Sequence, residues 1–423
     1  MVNICYATLV GNIYYILLCL ISILILTRHN KKIIDYSTMS NMTIIHLIIS
    51  LHQGGAESQL EKLILHSHAK NIEHIVISLI DNQTPLMIKL KSHGVSVYTT
   101  NFSRKGGLTG IFQLRKLLKT LVNKDTIIQC WMYHANLLGF LIAKSLGITS
   151  QIIWSIRRTA IPSGITGFIS KVCAAISKRY PIPIICCAES AKESHIKAGY
   201  SGKYMYVFHN GIDTNLFSPD KEKRNNTRNN LKLSNENFII GMVARYSPIK
   251  GHIYLLQALQ YLIENIPEDK IKNLRLVMIG RNVEKAALLQ PYLNNLSLRK
   301  YLVMKPEIRN IWDIMPAFDI LCMPSESEGF PNVVAESMSC GVVPLVTDVG
   351  EAKVIVGDTG YIVPPFQPEY IAKAIIKLIN MNENELKKLA NLAHLRIKNN
   401  FSIEKAWADY KNFYQNQIIN NGN

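Results

Sequence analysis

Residues 318–350 read FDILCMPSESEGFPNVVAESMSCGVVPLVTDVG. Two short apolar runs, Ile320–Met323 and Val343–Val346, enclose the segment Asn332–Ser339, which has the composition of a helix. A strand, a helix and a second strand in this order are typical of a βαβ unit, and such units build parallel sheets. Continuous apolar runs also suit strands that are buried on both faces. This stretch therefore predicts an α/β protein.

The same alternation of β-rich runs and amphipathic helical segments extends over the chain from residue 43 onward. It is interrupted at Thr214–Asn237, where a charged, Asn-rich segment poor in aliphatic residues is typical of a linker. We therefore expect two doubly wound, Rossmann-like lobes, with ligands beyond the carboxyl ends of the strands and in an inter-lobe cleft. The further strands that we predict are Thr43–Ile49, His74–Leu79, Val95–Thr99, Thr126–Trp131, Gln151–Ile156, Ile182–Cys187, Phe238–Val243, Leu274–Ile279 and Tyr301–Met304.

This pattern divides the chain into four segments. Residues 1–38 are expected to form a hydrophobic anchor or leader, residues 39–215 the first lobe and residues 216–400 the second lobe. Aromatic residues at helical spacing near the C-terminus predict that residues 401–423 contain a helix that packs back on the body.

The leader carries no charged side chain from Met1 to Thr27 and approaches the roughly 20 apolar residues that span a bilayer. Cations follow at once, and positive charge on that side favours a short N-terminal hydrophobic helix at residues 8–27 with a cytoplasmic body behind it. The alternative is a start at Met39 or Met42, which would remove the anchor.

Composition and charge narrow the classes of function. Of the 423 residues 48% are hydrophobic, which argues against a disordered chain, and no Cys-x-x-Cys pair suggests a zinc knuckle. The formal charge is +17, and residues 101–200 carry 14 basic side chains against 3 acidic ones. Such a field favours an anionic partner, which could be nucleic acid, a phospholipid surface or a phosphorylated substrate. A generally basic cytoplasmic protein is the alternative.

Two loops offer groups that suit phosphate. Gly54 and Gly55 stand between the first strand and a helix, where the backbone can approach a phosphate closely, although a plain tight turn explains them equally well. Arg245 and Lys250 follow another strand, and two cations there could clamp a diphosphate leaving group. A solvated basic loop is the alternative for the second pair.

Three further side chains could take part in chemistry on sugars. Glu328 and Glu336 lie eight residues apart around a Gly-Phe-Pro-Asn turn. Paired carboxylates can act as acid and base in glycoside hydrolysis, can hold sugar hydroxyls, or can merely complement a helix dipole. His134 follows a strand and precedes a helix, where it is either functional or structural. The sequence contains no Asp-x-Asp, which argues against a metal–diphosphate bridge. It contains no Gly-x-Gly-x-x-Gly and no Walker lysine loop, which argues against a dehydrogenase and an NTPase.

At EGFPNVVAE the sequence resembles glycosyltransferase family 4, whose members are retaining enzymes of the GT-B fold. The resemblance covers most of residues 43–415 and includes GGAE, WMYHANLLG, HNGID, ARYSPIKG and TGYIVPP. The spacing Glu-x7-Glu with an upstream Arg-x4-Lys is specific in combination. The sequence departs from the family pattern at Lys305-Pro306-Glu307, where a glycine is common, and at Lys353, near a usually acidic position.

The resemblance implies roles for the candidate residues. Glu336 would accept hydrogen bonds from the ribose hydroxyls, Glu328 would hold the transferred sugar, and Arg245 with Lys250 would stabilise the departing diphosphate. In the first lobe, Gly54 and Gly55 would approach the phosphates, and His134 would help to place the acceptor. The complete set is His134, Glu328, Arg245 and Lys250 for catalysis, and Gly54, Gly55, Arg245, Lys250, Glu328, Gly329, Phe330, Pro331, Asn332 and Glu336 for donor binding.

The resemblance thus predicts a metal-independent, retaining hexosyltransferase without a cofactor at the cytoplasmic side of the inner membrane. It would move a sugar from a UDP- or GDP-linked donor, bound by the second lobe, to a polysaccharide, lipopolysaccharide or lipid-linked acceptor. The basic clusters Arg115/Lys116/Lys119 and Arg157/Arg158 would face an anionic membrane surface or a lipid-diphosphate acceptor. A nucleotide-sugar epimerase or hydrolase and a non-enzymatic membrane-surface protein are the alternatives. Nucleic acid is not expected, because the aromatic residues and modules of such binders are lacking.

Overall fold

We describe a computed structural model of the chain, which covers residues 42–52, 54–70, 72–80, 83–100, 102 and 107–422. The predicted anchor at residues 1–38 lies outside the described residues. The chain divides after His209, and again at Ala406, into two compact units, and the second unit is Asn210–Lys405. Among the described helices, none combines the length and the apolar character that a membrane crossing needs.

The first unit contains a parallel sheet with the strand order β3-β2-β1-β4-β5-β6-β7 in the described part of the chain. Its strands are β1 Thr43–Ile48, β2 Glu73–Ser78, β3 Ser96–Thr99, β4 Thr126–Trp131, β5 Ile152–Ile156, β6 Ile184–Cys186 and β7 Met205–Val207. Its helices are α1 Gly55–His68, α2 Pro85–Ser92, α3 Gly107–Leu121, α4 Met132–Leu146, α5 Gly164–Arg179 and α6 Glu189–Lys197.

The central strands are buried on both faces, as their largely apolar sequences predict. Every residue of β1, β4 and β5 is buried. Helices α1 and α2 connect strands in one direction along the sheet and α3 and α4 in the other, so right-handed crossovers place the two pairs on opposite faces. Helix α4 packs against both α3 and α5.

A chain of hydrogen bonds between buried polar side chains joins β1, β2, β4 and α1. Trp131 Nε1 donates to Nδ1 of His46 at 3.2 Å, and His46 Nε2 lies 3.0 Å from Nδ1 of His74. His74 Nε2 lies 2.7 Å from the hydroxyl of Ser67, which donates to the carbonyl of Leu63. Because the Trp131 donor requires Nδ1 of His46 to accept, the directions along the chain follow, and both imidazoles are neutral.

This chain of hydrogen bonds predicts that the first unit loses stability in mild acid. Burial, and then the neighbouring His68, lowers the pKa of His74 to about 3 from an ordinary value near 6.5, and burial lowers that of His46 as well. In mild acid the two imidazoles therefore bind protons in the unfolded chain but stay neutral in the folded unit. The free energy of unfolding is therefore highest above about pH 6.5. Below that pH it falls by about 1.4 kcal/mol per pH unit for each of the two histidines.

Unfolding of the full chain between pH 7 and pH 4 tests this prediction, with hydrogen exchange of β1 and β2 as the local reading. His74→Gln should make the decline with acidification shallower, and the same change at exposed His93 is the control. An unchanged slope in His74→Gln would contradict the neutral, buried imidazole.

The second unit contains a parallel sheet with the order β10-β9-β8-β11-β12-β13 among the described residues. Its strands are β8 Phe238–Val243, β9 Leu274–Ile279, β10 Leu302–Lys305, β11 Ile320–Met323, β12 Val343–Thr347 and β13 Tyr361–Val363. Its helices are α7 Lys221–Asn230, α8 His252–Asn265, α9 Glu268–Ile271, α10 Gln290–Leu293, α11 Leu296–Arg299, α12 Ile311–Ile314, α13 Asn332–Ser339, α14 Ala352–Val356, α15 Pro368–Ile379 and α16 Glu383–Asn400. Helix α17, Ile403–Gly422, ends the described chain.

The fold class expected from the sequence, two Rossmann-like α/β lobes, is confirmed. The linker predicted at Thr214–Asn237 is wrong at its centre, where 10 residues form helix α7. Asp220 caps this helix by accepting from the backbone N–H of Lys223 at 2.9 Å. Arg228, on the buried side of α7, is 1% exposed and donates to Asp319, directly before β11, at 2.8 Å. The polar segment that resembled a linker thus contains a helix that an ion pair holds at the start of β11.

Candidate active site

The candidate residues of the second unit lie at the carboxyl edge of its sheet. Strands β8 and β11 are neighbours, so the loop that follows each of them reaches the same place. Lys250 lies in the loop after β8, and Glu328 in the loop after β11. The next strand, β12, leads to Gly350 at the same edge. This is where ligands bind in open α/β sheets.

Backbone contacts hold the first two loops together. The N–H of Glu326 donates to the carbonyl of Ile249 at 2.8 Å. Gly251 has a φ of +72°, and a Cβ there would lie 1.9 Å from the carbonyl oxygen of Pro324. Only glycine adopts this conformation at such close approach without strain. The turn that carries Lys250 is therefore fixed against the segment that carries Glu328.

Lys250 and Glu328 form an ion pair. Lys250 Nζ donates to Glu328 Oε1 at 2.6 Å, and the hydroxyl of Ser325 donates to the same oxygen at 2.7 Å. The side chains of Lys250 and Glu328 are 24% and 10% exposed, and Ser325 is fully buried. The carbonyl of Ser325 in turn accepts from the hydroxyl of Thr347 on β12 at 2.5 Å. Three adjacent strands thus contribute to the position of one carboxylate.

The segment after Glu328 is held at both sides. The N–H of Glu351 donates to the carbonyl of Gly329 at 2.9 Å, and Gly350, with a φ of +56°, lies so close to the carbonyl of Glu328 that a side chain would not fit. Phe330 is buried and packs with its ring centroid 5.9 Å from that of Phe401. These contacts fix the position of the turn that connects Glu328 to the start of helix α13.

Helix α13 begins at Asn332, after Pro331, as the sequence predicts. The amide of Asn210 donates to the side-chain oxygen of Asn332 at 2.7 Å, which fixes the orientation of the latter. Glu336 lies one turn further along the helix and is half-buried. Arg245, in the loop directly after β8, is exposed. The structure therefore brings Lys250, Glu328 and the start of α13 to the carboxyl edge.

In the first unit, Gly54, Gly55 and His134 also follow neighbouring strands, β1 and β4. Gly54 is the N-cap of α1, and a Cβ at Gly55 would meet open space within 4 Å among the described atoms. His134 lies in the first turn of α4, where burial lowers its pKa from the ordinary value of 6.5. A neutral imidazole at that place can donate one hydrogen bond and accept another.

The turn before His134 is strained. Met132 has a φ of +69°, which is costly for a residue with a side chain, and such strain is common at functional sites. The hydroxyl of Tyr133 lies 2.7 Å from Nε2 of His195, and Nδ1 of His195 lies 2.7 Å from the carbonyl of Ala191. A buried hydrogen-bonded pair therefore holds the backbone on which His134 is mounted.

Sequence reasoning missed several residues that support the candidate site. Ser325 is the first residue of SESEG, Asn210 lies in the HNGID crossover and Tyr133 directly before His134. The partners of Asn210 and Tyr133 are 122 and 62 residues away, so no local pattern reveals them, whereas Ser325 bonds to Glu328 only three residues along the chain. Among the residues that the structure describes, no group of three or more His, Cys, Asp or Glu side chains could hold a metal ion.

Comparison with known proteins gives the family. Residues 223–400 match the family model of the glycosyl transferases group 1. The chain is 24% identical over 328 residues to UDP-Gal:alpha-D-GlcNAc-diphosphoundecaprenol alpha-1,3-galactosyltransferase of Escherichia coli, covering 76% of this chain and 82% of the relative. It is also 24% identical over 394 residues to the capsular polysaccharide biosynthesis glycosyltransferase CapM of Staphylococcus aureus, covering 89% and 97%. The second unit, which contains the matched range, is a group 1 glycosyltransferase domain.

Solved structures share the fold of the chain. Anabaena Alr3699/HepE in complex with UDP superposes with a TM-score of 0.75 at 20% identity, covering 89% of this chain and all of that one. A glycosyltransferase from Rickettsia africae superposes with a TM-score of 0.77 at 17% identity, covering 90% and 99%. The GT-B architecture implied by the sequence is thereby confirmed. The matched range 223–400 contains Arg245, Lys250, Glu328 and Glu336.

Proposed function

We propose that this glycosyltransferase moves a sugar, with retention of its anomeric configuration, from a UDP- or GDP-linked donor to a lipid-linked or polysaccharide acceptor. The observation that carries the proposal is the pairing of Lys250 with Glu328 beside the start of α13. A diphosphate needs a cation, and a sugar needs hydrogen-bond acceptors for its hydroxyls. This edge of the sheet offers both within one hydrogen bond of each other.

Each candidate residue of the second unit has a role in this proposal. Lys250 and Arg245 stabilise the negative charge that develops on the leaving diphosphate. Glu328 accepts hydrogen bonds from the transferred sugar, and Glu336 accepts them from the ribose. The turn after Glu328 consists of Gly329, Phe330, Pro331 and Asn332, and its backbone contributes to donor binding in this proposal.

The first unit contributes the acceptor side in this proposal. His134 helps to place the acceptor hydroxyl, and Gly54 and Gly55 allow the backbone to approach the donor phosphates. The acceptor oxygen bonds to the anomeric carbon on the face from which the diphosphate departs, and a phosphate oxygen takes the acceptor proton. This route requires no nucleophile from the protein.

The substrate classes are supported by the relatives. One relative is named for a UDP-galactose donor and a diphosphoundecaprenol acceptor, and another for capsular polysaccharide. Structural neighbours include complexes with UDP and with UDP-glucose. The comparisons favour transfer over the epimerase or hydrolase alternative.

A thermal-shift screen of the full chain against UDP, GDP and their sugars tests the proposed donor class. A true ligand at about 100 times its dissociation constant should stabilise the protein by roughly 2.7 kcal/mol. Stabilisation by one nucleotide series is the expected result. Incubation of the same donor without acceptor is the control, because rapid conversion to a free or epimerised sugar would support the alternative.

We further propose that the first unit works at an anionic membrane surface on the cytoplasmic side, which a lipid-linked acceptor requires. Helix α3 is amphipathic, with Ile111 buried, Phe112 exposed, and Arg115, Lys116 and Lys119 all exposed. Apolar and basic side chains on one exposed helix are the combination that binds anionic lipid. Of the second predicted cluster, Arg158 is exposed.

Arg157 of that cluster takes a different role in the structure. It donates to the hydroxyl of Tyr410 on α17 at 3.0 Å, and its guanidinium lies 5.7 Å from the ring centroid of Trp131. Half-buried between these aromatic side chains, Arg157 holds the last helix against the sheet of the first unit. The expectation that Arg157 faces lipid is therefore replaced by a structural role.

Lipid quenching tests the membrane surface independently of any anchor in the leader. In vesicles of phosphatidylglycerol that contain brominated lipid, tryptophan fluorescence from Phe112→Trp should be quenched beyond the background of the native tryptophans. Ile88→Trp is the matched control, because residue 88 is 60% exposed and residue 112 is 64% exposed, yet helix α2 covers the opposite face of the sheet. Equal quenching at both positions would contradict the proposed surface.

A further inference from the structure

Lys250 and Glu328 occupy each other in the second unit. Lys250 Nζ lies 2.6 Å from Glu328 Oε1, and little of either side chain is open to water. The proposed function, on which this inference rests, assigns the two groups to different parts of the donor. Lys250 serves the diphosphate and Glu328 serves the sugar. The pairing therefore bears on which nucleotide species the site prefers.

Backbone contacts hold the two side chains next to each other. Glu326 donates its N–H to Ile249, and Gly251 touches the carbonyl of Pro324, so the backbones of the two loops are in direct contact. Ser325, fully buried, donates to the same oxygen of Glu328 as Lys250 and holds the carboxylate in place. A change of partner therefore takes place by rotation of the lysine side chain, without separation of the loops.

A diphosphate that binds Lys250 consequently lies beside a carboxylate. Either it takes the cation away from Glu328, or it shares the ammonium group with it, and both arrangements bring like charges together in a poorly screened place. A sugar nucleotide meets a different situation, because its sugar hydroxyls donate to Glu328 and replace the hydrogen bond that Lys250 gave up. Glu328 thus opposes the bare diphosphate and accepts the sugar-linked one.

We propose that Glu328 makes the site prefer the sugar nucleotide over the free nucleoside diphosphate. Before transfer the carboxylate holds the sugar. After transfer the hydroxyls leave, the carboxylate regains Lys250, and the diphosphate loses its cation. One residue therefore determines donor selectivity and lowers the affinity for the spent nucleotide.

Calorimetric titration of the full chain with UDP, GDP and their sugars tests this inference. Glu328→Gln retains the size of the side chain and removes its charge. The variant should bind the free diphosphate at least about fivefold more tightly than the wild type, while the advantage of the sugar nucleotide shrinks by at least the same factor. Glu328→Ala repeats the measurement without dependence on how a glutamine packs.

Glu326→Gln is the matched control. It removes the same charge two residues away, where the carboxylate accepts from the hydroxyl of Tyr254 at 2.9 Å, and it should change diphosphate affinity by less than about twofold. Equal or weaker diphosphate binding by both Glu328 variants would overturn the inference and leave the proposed function standing. Failure of the wild type to bind any of these nucleotides would contradict the proposed function itself, and the inference with it.

Discussion

Lys250→Ala is expected to reduce sugar transfer from a nucleotide-diphosphate donor by about a hundredfold to a thousandfold, the loss that follows removal of one group aimed at developing charge. The ammonium group lies at the carboxyl edge of the sheet, in a loop fixed to its neighbour by backbone contacts. It would meet the diphosphate as the glycosidic bond breaks. The variant also leaves the carboxylate of Glu328 without its cation, which adds repulsion against the leaving group.

The matched control is Lys300→Ala. Lys300 also forms an ion pair at 2.6 Å, with Glu268, but it lies before β10, at the opposite edge of the same sheet. Steady-state kinetics of both variants, with circular dichroism to confirm folding, should show a loss only for Lys250→Ala. Wild-type transfer by a folded Lys250→Ala protein would remove the diphosphate role.

Asp319→Ala is expected to destabilise the second unit by about 3–5 kcal/mol, the cost of leaving a buried charge without its partner. Asp319 Oδ2 accepts from Arg228 at 2.8 Å and from the N–H of Ile239 at 2.6 Å, and Oδ1 accepts from Arg224 at 2.5 Å. Arg228 is 1% exposed. Removal of the carboxylate leaves this buried guanidinium without its counter-ion. It also leaves the N–H of Ile239 on the neighbouring strand without its acceptor.

The comparison for this variant is Asp313→Ala. Asp313 pairs with Lys223 at 3.0 Å, but both side chains are substantially exposed, so its loss should cost less than about 1 kcal/mol. Urea unfolding, followed by hydrogen exchange of the peptides that contain β8 and β11, separates the two outcomes. Equal stability of both variants would show that the buried pair is not structurally important.

Local pattern was sufficient to predict most of the strands and the two-lobed class. The runs at β8 and β11 are apolar throughout and those at β1 and β4 are largely apolar, and such runs specify strands covered on both faces. The start of α13 at Asn332 also follows from the sequence, because Pro331 ends the preceding turn. These features depend on neighbours along the chain.

Helix α7 could not be predicted in the same way. Its sequence KEKRNNTRNN has no apolar stripe. Its buried residues are Thr227 and Arg228, and the partner of Arg228, Asp319, is 91 residues away. Hydrophobic periodicity is blind to a helix that is held by an ion pair. Composition therefore predicted a linker where the structure has a helix.

The candidate site was predicted as a set of residues but not as a set of contacts. That Lys250 meets Glu328 depends on β8 lying beside β11 in the sheet, which the order along the chain does not specify. Asn210 acts through Asn332, 122 residues away, which only folding brings close. The left-handed backbone of Met132 is likewise a property of the folded turn.

Transfer of labelled sugar is the most direct test of the proposed function. Membranes from cells that express the full chain are incubated with UDP-linked and GDP-linked radioactive sugars, and the label in the organic-extractable lipid fraction is counted. We expect one donor to label a lipid product when the wild-type chain is present and the product to be absent with Lys250→Ala. Equal labelling of lipid by the wild type and by Lys250→Ala would contradict the account.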